Sequence, residues 1–236
     1  MERLQKAIAS TGYTSRRKAE ELILKNQVMV NGKMVNELGY KVDPNDTIVV
    51  EGKPLNKVKK VYYLLNKPRG VLSTTKDDRG RKTVVDLIDS DVPIYPVGRL
   101  DYDTSGLILL TNDGELTNIL MHPSSKIDKE YVAKIPGILY KDQVELLEKG
   151  VIIDGRKTAR AKVKTRYDKR KDVSMVSIII HEGRNHQVKK MFEAVSKKVL
   201  KLKRERVAFL DLKGLRSGEY RPLTIKEVKK LYQYKK

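Results

Sequence analysis

The sequence predicts an α+β fold in two parts, a small N-terminal domain over residues 1–60 and a larger domain over residues 61–236. Two short helical segments and several strand segments open the chain, and a short lysine-rich run follows them. The remainder consists mostly of strand segments with a few well-marked helices, without the regular strand-helix alternation of a parallel sheet. Its length and its 39% hydrophobic content are sufficient for a packed core.

The first predicted elements are two short helices. Leu4, Ala7 and Ile8 share one face of the first helix, which is the spacing of an amphipathic segment. Ser15 is placed to cap a second helix, because its hydroxyl oxygen can accept a free amide hydrogen of the first turn. Gly12 separates the two helices.

Strands follow the two helices. The apolar residues 28–30 run into Asn31 and Gly32, a pair that is typical of a tight hairpin turn. Residues 47–50 predict a further strand. Residues 53–60, with the sequence KPLNKVKK, are expected to form a short basic linker between the domains.

The larger domain contains clear start and stop signals. Asn112 is placed to cap a helix that has Glu115 three residues later, and Thr224 with Glu227 predicts a capping box near the C-terminus. The other predicted elements are strands at 61–65, 131–135 and 173–181, a helix around 143–147, and a hairpin turn at 154–155. These elements predict a sheet that carries a few helices.

The charge of the chain indicates a polyanionic partner. Fifty Lys and Arg residues against thirty Asp and Glu residues give a formal charge of +20, more than solubility requires. RNA or DNA is the leading partner, and an anionic membrane surface is the rival. No apolar segment approaches the roughly 18 residues of a spanning helix, and the N-terminus does not resemble a secretory signal. We therefore expect a soluble, intracellular protein of the cytoplasm.

Cysteine and histidine usage excludes several classes of site. The chain has no cysteine, which rules out disulfides and thiol catalysis, and its three histidines are scattered. We accordingly expect no metal site and no cofactor. The candidate phosphate-binding cations lie near the starts of the two N-terminal helices, and the alternative is a solvated helix surface. They are Arg3, Lys6, Arg16, Arg17 and Lys18.

Residues 98–106, with the sequence GRLDYDTSG, carry the strongest signal for a site. Residues 97–103 can alternate as a strand with Arg99, Asp101 and Asp103 on one face, and residues 104–106 would break it. Carboxylates at a strand end are often presented to a cleft by a rigid scaffold. The alternative is that both aspartates bond turn amides.

Four motifs in order resemble the signature of the RsuA-type ribosomal pseudouridine synthases, and the resemblance covers nearly the whole chain. They are GRLD with DTSGL at 98–107, NKPRGV at 66–71, KEY at 129–131 and EGRNHQVKKM at 182–191. The N-terminal domain resembles an S4 RNA-binding domain. The first twenty residues are closer to the large-subunit, RluB-like branch than to the small-subunit branch. The implied catalytic fold is a mixed, largely antiparallel sheet with a cleft across its middle.

The resemblance implies an isomerase that converts a uridine of ribosomal RNA, most closely 23S rRNA, to pseudouridine. Asp101 matches the catalytic aspartate, and its attack on C1′, its attack on C6 and a glycal route stay open. Lys189 matches the basic partner that keeps Asp101 ionised, with Arg184 as the alternative partner or a phosphate contact. Tyr131 matches the tyrosine that stacks on the extruded uracil.

The remaining candidate residues are assigned to RNA contact or to structure. Arg99, Lys67 and Arg69 are expected to contact RNA, as are the basic tracts at 156–170 and 197–206. Asp103 is expected to bond the turn, and His186 and Gln187 are expected to have structural roles. The expected partner is ribosomal RNA or a pre-ribosomal particle, with no membrane or metal partner, and the chain is expected to be a monomer. The alternative function is a non-catalytic RNA-binding or assembly factor that retains the fold.

Overall fold

The computed structural model describes residues 1–235 and divides into two compact units. The N-terminal unit comprises Met1–Val61 together with Ser90–Pro93 and Asn112–Gly114. The C-terminal unit comprises the other described residues. Within residues 1–235 no helix is both long enough and apolar enough to cross a bilayer.

The N-terminal unit is a pair of helices with a small antiparallel sheet. In the sheet, β2 lies between β3 and β5, β6 pairs with β5, and β1 pairs with β4 separately. Its elements are β1 (Glu2–Arg3), α1 (Leu4–Ser10), α2 (Arg16–Leu24), β2 (Val28–Val30), β3 (Lys33–Met34), β4 (Lys41–Val42), β5 (Ile48–Val50) and β6 (Lys53–Pro54). The helices, the hairpin and the strand at 47–50 that the sequence predicts are confirmed.

Local signals explain these elements. The Ser15 hydroxyl accepts the Lys18 amide hydrogen at 3.2 Å, so the predicted cap forms. Asn31 and Gly32 both have positive φ, as the hairpin turn requires. The prediction of a linker that starts at residue 53 is wrong, because β6 pairs with β5 and the Leu55 amide donates to the Ile48 carbonyl.

The basic residues of the N-terminal unit remain near the surface. Arg3, Arg16, Arg17 and Lys18 are exposed, and Lys6 is partly exposed. Two of them are paired with nearby residues of the chain, because Lys6 contacts Glu2 at 3.1 Å and Lys18 contacts Glu21 at 2.7 Å. Exposed pairs of this kind are weak and do not prevent phosphate contact.

The C-terminal unit is built on one nine-stranded sheet. The strand order is β13-β14-β10-β15-β9-β7-β17, with β16 beside β15 and β8 beside β9. The strands of the unit, of which β11 and β12 lie outside this sheet, are β7 (Tyr62–Lys67), β8 (Tyr95–Pro96), β9 (Ser105–Thr111), β10 (Lys129–Pro136), β11 (Ile152–Ile153), β12 (Arg156–Lys157), β13 (Lys162–Asp168), β14 (Val173–Ile180), β15 (Lys201–Val207), β16 (Leu210–Asp211) and β17 (Tyr220–Pro222). Only β15 and β9 pair in parallel within this sheet, which confirms the mixed, largely antiparallel architecture.

Four helices and two short 3-10 helices complete this unit. Strands β11 and β12 form the predicted hairpin outside the large sheet. The capping box of Thr224 and Glu227 is confirmed at the start of the last helix. The helices are α3 (Gly114–Met121), α4 (Lys141–Lys149), α5 (Gln187–Ala194) and α6 (Ile225–Tyr232), and the 3-10 helices are Val85–Leu87 and Pro123–Ser125.

The alternating burial of side chains along β10 distinguishes the two faces of the large sheet. Tyr131, Ala133 and Ile135 are buried, whereas Val132 and Lys134 are partly exposed. Because successive side chains of a strand point to opposite faces, the two sets define two sides of the sheet. We call the side of Tyr131 the inner face and the side of Val132 the outer face.

Two local predictions about residues 97–114 are wrong. Residues 97–104 form an irregular loop and not a strand, and residues 105 and 106 begin β9 instead of breaking it. The Asn112 side chain accepts the Val61 amide hydrogen and donates to the Lys59 carbonyl, while α3 begins at Gly114. The Asn112 side chain and the loop at 97–104 form hydrogen bonds with residues more than 25 positions away in the sequence. A local sequence pattern does not reveal such partners.

Gly106 allows the two parallel strands to approach, and Gly106→Ala is expected to destabilise the fold strongly. Its φ is +110°, and a Cβ atom there would lie 2.2 Å from the Arg204 carbonyl oxygen. We expect a loss of about 3 kcal/mol in the free energy of unfolding. Urea unfolding measures it, with Gly137→Ala as the control.

Gly137 also has positive φ, at +64°, but a Cβ there would meet nothing within 4 Å. Its replacement should therefore cost only the backbone strain of about 1 kcal/mol. Equal losses for the two variants would show that the close approach at Gly106 is not the source of the effect.

Candidate active site

A cleft of about 680 Å³ opens in the C-terminal unit. The loop at 97–104 forms one wall, and the segment from β14 into α5 forms another. Strands β10 and β15 supply Tyr131 and Arg204. Asp101 lines this cleft together with both of those side chains.

Backbone hydrogen bonds fix the loop that carries Asp101. The Ser73 hydroxyl donates to the Leu100 carbonyl at 2.8 Å and accepts the Leu100 amide hydrogen at 3.1 Å. The Gly70 amide donates to the Tyr102 carbonyl, and the Thr104 amide donates to the Asp101 carbonyl. The loop is therefore preorganised although it is not a strand.

Lys67 forms hydrogen bonds with the same loop. Because its side chain is fully buried, its predicted role as an RNA contact is wrong. The side chain is fully buried at the end of β7. Its Nζ donates to the carbonyls of Pro68 at 3.0 Å, Asp101 at 3.1 Å and Thr104 at 2.9 Å. Burial lowers the pKa of Lys67 to about 8, although the nearby charges of Asp101 and Asp103 oppose that shift.

The lowered pKa of Lys67 predicts that stability rises with pH above neutrality. Between pH 8 and the ordinary lysine value of 10.5, the unfolded chain holds the proton that the folded chain has lost. The free energy of unfolding should then gain about 2 kcal/mol between pH 7.5 and 9.5 from this group. Urea unfolding over that range, compared with Lys67→Met, measures the gain, and equal slopes for the two proteins would contradict it.

Lys189 connects two carboxylates at the cleft. Its Nζ lies 3.2 Å from Oδ2 of Asp101 and 2.6 Å from Oδ1 of Asp103. Nε2 of His186 lies 3.5 Å from the other oxygen of Asp101. The structure thus brings Asp101 and Lys189 together as the sequence predicts, and it places His186 beside them.

The electrostatics of this group favour charged side chains. Burial alone would lower the pKa of Lys189, but hydrogen bonds to Asp103 and Asp101 outweigh it and raise the pKa above the ordinary value. The hydrogen bond from Lys189 lowers the pKa of Asp103, and Arg69 adds a smaller effect in the same direction. Asp103 also bonds its own backbone amide, as the turn prediction expects, and its carboxylate binds Lys189 in addition.

Hydrogen bonds around Gln187 fix the start of α5, the helix that carries Lys189. Gln187 is buried, accepts the Arg184 amide hydrogen at 2.9 Å and donates to Glu182 at 2.8 Å, which confirms its structural role. The Arg184 guanidinium donates to the carbonyls of Arg156 and Lys157 and contacts Glu182. Arg184 is therefore not the partner of Asp101, because its donors are directed at the β11–β12 hairpin.

Tyr131 lies on the inner face with a buried arginine beside it. Its side chain is 9% exposed, and Arg204 is 5% exposed. Arg204 donates to the Leu107 carbonyl at 2.7 Å and to the Tyr131 hydroxyl at 3.4 Å, and its guanidinium carbon lies 5.9 Å from the ring centre. Arg204 therefore joins β15, β9 and the tyrosine, and it is not one of the free RNA contacts expected of the tract at 197–206.

Lys129 is a further cation of the cleft that the sequence analysis did not single out. Its Nζ donates to the carbonyls of His181 at 3.3 Å and Glu182 at 3.4 Å. Burial, with a smaller contribution from Arg204, lowers its pKa to about 8. Arg99 and Arg69 are exposed, and Arg99 lines the cleft, so both remain accessible to an anionic ligand.

This arrangement supports nucleophilic or electrostatic chemistry by one carboxylate. Asp101 is partly exposed in the cleft, and Lys189 balances its charge there. A carboxylate held in this way can form a bond to an electron-poor carbon or stabilise positive charge on it. The buried Tyr131 ring offers a flat apolar surface for a planar ligand.

Comparison with known proteins relates both units to described families. Residues 61–194 match the family described as RNA pseudouridylate synthase, and residues 2–48 match the S4 domain. The chain is 56% identical over 234 residues to the ribosomal large subunit pseudouridine synthase B of Bacillus subtilis, covering 98% of this chain and 96% of the relative. It is 39% identical to an uncharacterized RNA pseudouridine synthase of Aquifex aeolicus, covering 98% and 94% of the two chains. A crystal structure of a pseudouridylate synthase is similar over 98% of this chain and all of that chain, with a TM-score of 0.69 and 31% identity.

Proposed function

The chain belongs to the RNA pseudouridylate synthase family and carries an S4 domain, and from this premise we propose that it isomerises one uridine of large-subunit ribosomal RNA. The similarity to the Bacillus subtilis enzyme, whose name gives that substrate, supports the choice of RNA. The exposed cations of the N-terminal unit are proposed to bind phosphates of the same RNA in the cytoplasm.

The ion pair of Asp101 and Lys189 at the cleft carries the proposal about chemistry. The reaction breaks the bond between N1 and C1′, turns the uracil, and forms the bond between C5 and C1′. The hydrogen on C5 leaves as a proton and N1 gains one, so no redox or energy input is needed. A carboxylate is suited to this sequence because it can stabilise or bond to the sugar carbon and then leave.

Each remaining group of the cleft has a proposed role. Tyr131 stacks on the extruded uracil, and Arg204 holds the tyrosine hydroxyl in place. Lys189 pairs with the Asp101 carboxylate where water is displaced by the nucleotide. Lys67 holds the Asp101 loop through three carbonyls and takes no part in the chemistry.

The proposed function is tested by release of tritium from RNA. Large-subunit rRNA transcripts that carry tritium at C5 of uridine should lose the label to water when the purified chain is added. Mapping of pseudouridine in the product then identifies the nucleotide. Absence of release from every large-subunit and small-subunit transcript would exclude the activity, and release only from small-subunit RNA would overturn the choice of substrate.

A further inference from the structure

The outer face of the large sheet presents basic side chains in three rows. The strand register places Lys164, Ser177, Val132 and Lys203 side by side across four strands. A second row contains Arg166, Met175, Lys134 and Lys201, and a third contains Lys162, Ile179, Glu130 and Arg206. Seven of these twelve positions are Lys or Arg, and one is acidic.

Five of the seven cations form no ion pair within 4 Å of a carboxylate in the described part of the chain. Among residues 1–235 no ion pair involves Lys134, Lys162, Lys164, Arg166 or Lys201. The carboxylates on this side are already bound, including Asp168 at the end of β13, which contacts Lys171 at 3.9 Å. Glu130 accepts from Arg206 at 2.9 Å and from Ser177 at 2.8 Å, and Glu205 contacts Lys203 at 2.8 Å. The face is therefore a field of positive charge with its acidic groups neutralised.

Protection of a sheet edge does not explain this pattern. Lysines on the edge strand β13 would discourage pairing with another chain. Lys134 and Lys201, however, lie on β10 and β15, which have strand neighbours on both sides. Cations on interior strands serve no such purpose, and placing like charges side by side across strands costs stability. A ligand that neutralises them accounts for their positions.

We propose that the outer face binds the phosphate backbone of a double-stranded segment of the RNA substrate. This proposal rests on the proposed function, because it assumes that RNA is the substrate. None of the outward positions in the three rows is aromatic, so the face lacks the stacking surface that single-stranded bases use. Lys and Arg without stacking partners suit a duplex, which is recognised through its backbone and shape.

The position of this face predicts which RNAs reach it. Tyr131 and Val132 are neighbours in β10, and they point to the cleft side and to the outer side of the same sheet. A short stem-loop whose target nucleotide fills the cleft contacts only the inner face. A longer RNA can pass around the edge strand β13 or present a second helix to the outer face. The outer face should therefore matter for a multi-helix substrate and not for a minimal one.

The test compares two triple variants that each remove three lysine charges. One replaces Lys134, Lys164 and Lys201 on the outer face by Gln. The control replaces Lys141, Lys226 and Lys229, which are exposed on α4 and α6, by Gln. Dissociation constants are measured against salt for a minimal stem-loop and for a multi-helix rRNA fragment, both containing the mapped uridine, and tritium release is followed on both.

On the multi-helix fragment, binding by the outer-face variant should depend less on salt. The slope of log association constant against log salt should be less negative by about 2 to 3 than for the control variant. On the minimal stem-loop, the two variants should bind and react alike. Equal slopes for the two variants on the long fragment would overturn the proposal, as would an equal loss on both RNAs. Failure of the unsubstituted protein to release tritium from either RNA would instead refute the proposed function, so the two failures are distinguishable.

Discussion

Replacement of Asp101 by Asn is expected to reduce turnover by at least about 10⁴-fold, because the variant removes the proposed nucleophile. An amide has nearly the same shape as a carboxylate but carries no negative charge, so it neither bonds reversibly to the sugar carbon nor stabilises positive charge there. The side chain is partly exposed, and the loop is held by backbone groups of residues 101 and 104, so folding should be unaffected. Single-turnover tritium release measures the loss.

Asp103→Asn is the matched control for this prediction. Asp103 also binds Lys189, but it is 54% exposed and its role in the proposed reaction is indirect. We expect a loss of about tenfold or less for this variant, because one cation contact of the cleft is altered while Asp101 remains. Equal losses for the two aspartates, or turnover by Asp101→Asn within about tenfold of the original protein, would contradict the assignment.

RNA affinity separates a chemical effect from a structural one. If Asp101→Asn binds the stem-loop as tightly as the original chain while modification stops, the loss lies in the reaction and not in recognition. A parallel loss of affinity would assign Asp101 to binding. If the chain were a non-catalytic RNA-binding protein, the original chain would already show no modification activity, so Asp101→Asn would have none to remove.

The sequence predicted those elements whose cause is local. The Ser15 cap and the box of Thr224 and Glu227 are confirmed because each depends on a hydrogen bond over three residues. The hairpin at Asn31 and Gly32 follows from positive φ at two adjacent positions. Short-range geometry of this kind is present in the residues themselves.

The predictions from sequence are wrong where a side chain forms hydrogen bonds with backbone groups that are distant in the sequence. Lys67 and Arg204 resemble surface cations in a chain of charge +20, but the structure buries both against carbonyls 34 to 97 residues away. One signal for Arg204 was present, because it stands two positions after Leu202 in β15, and alternation places both on the inner face. For Lys67 the apolar strand before it was the only indication.

The loop at 97–104 shows a different limit. Its residues alternate as a strand would, yet Gly98 has a φ of +75° and the backbone groups bond Ser73 and Gly70 instead of a neighbouring strand. Periodicity reports side chains and not backbone partners. The grouping of Asp101, Lys189 and Tyr131 came from the ordered motifs, since residues 30 to 88 positions apart carry no spacing signal of their own.

Lys189→Met is expected to lower activity at neutral pH by about 10²-fold and to change its pH dependence. The ammonium lies within 3.2 Å of both Asp101 and Asp103. Without it, two carboxylates face one another with no cation between them, and proton uptake by the pair becomes easier. Because the hydrogen bond from Lys189 holds the pKa of Asp103 below its usual value, its removal lets the pair take up a proton at higher pH, and the acid limb of kcat/KM against pH should move upward.

Two further variants separate charge from packing in this prediction. Lys189→Arg keeps the positive charge, so its acid limb should stay near that of the original enzyme even if altered geometry lowers kcat. The double variant Lys189→Met with Asp103→Asn removes the like charge that opposes Asp101, and its acid limb should return part of the way. An acid limb that is the same in all four proteins would show that Lys189 does not set the pH dependence of the reaction. In that case the ion pair would serve only to hold α5 against the loop.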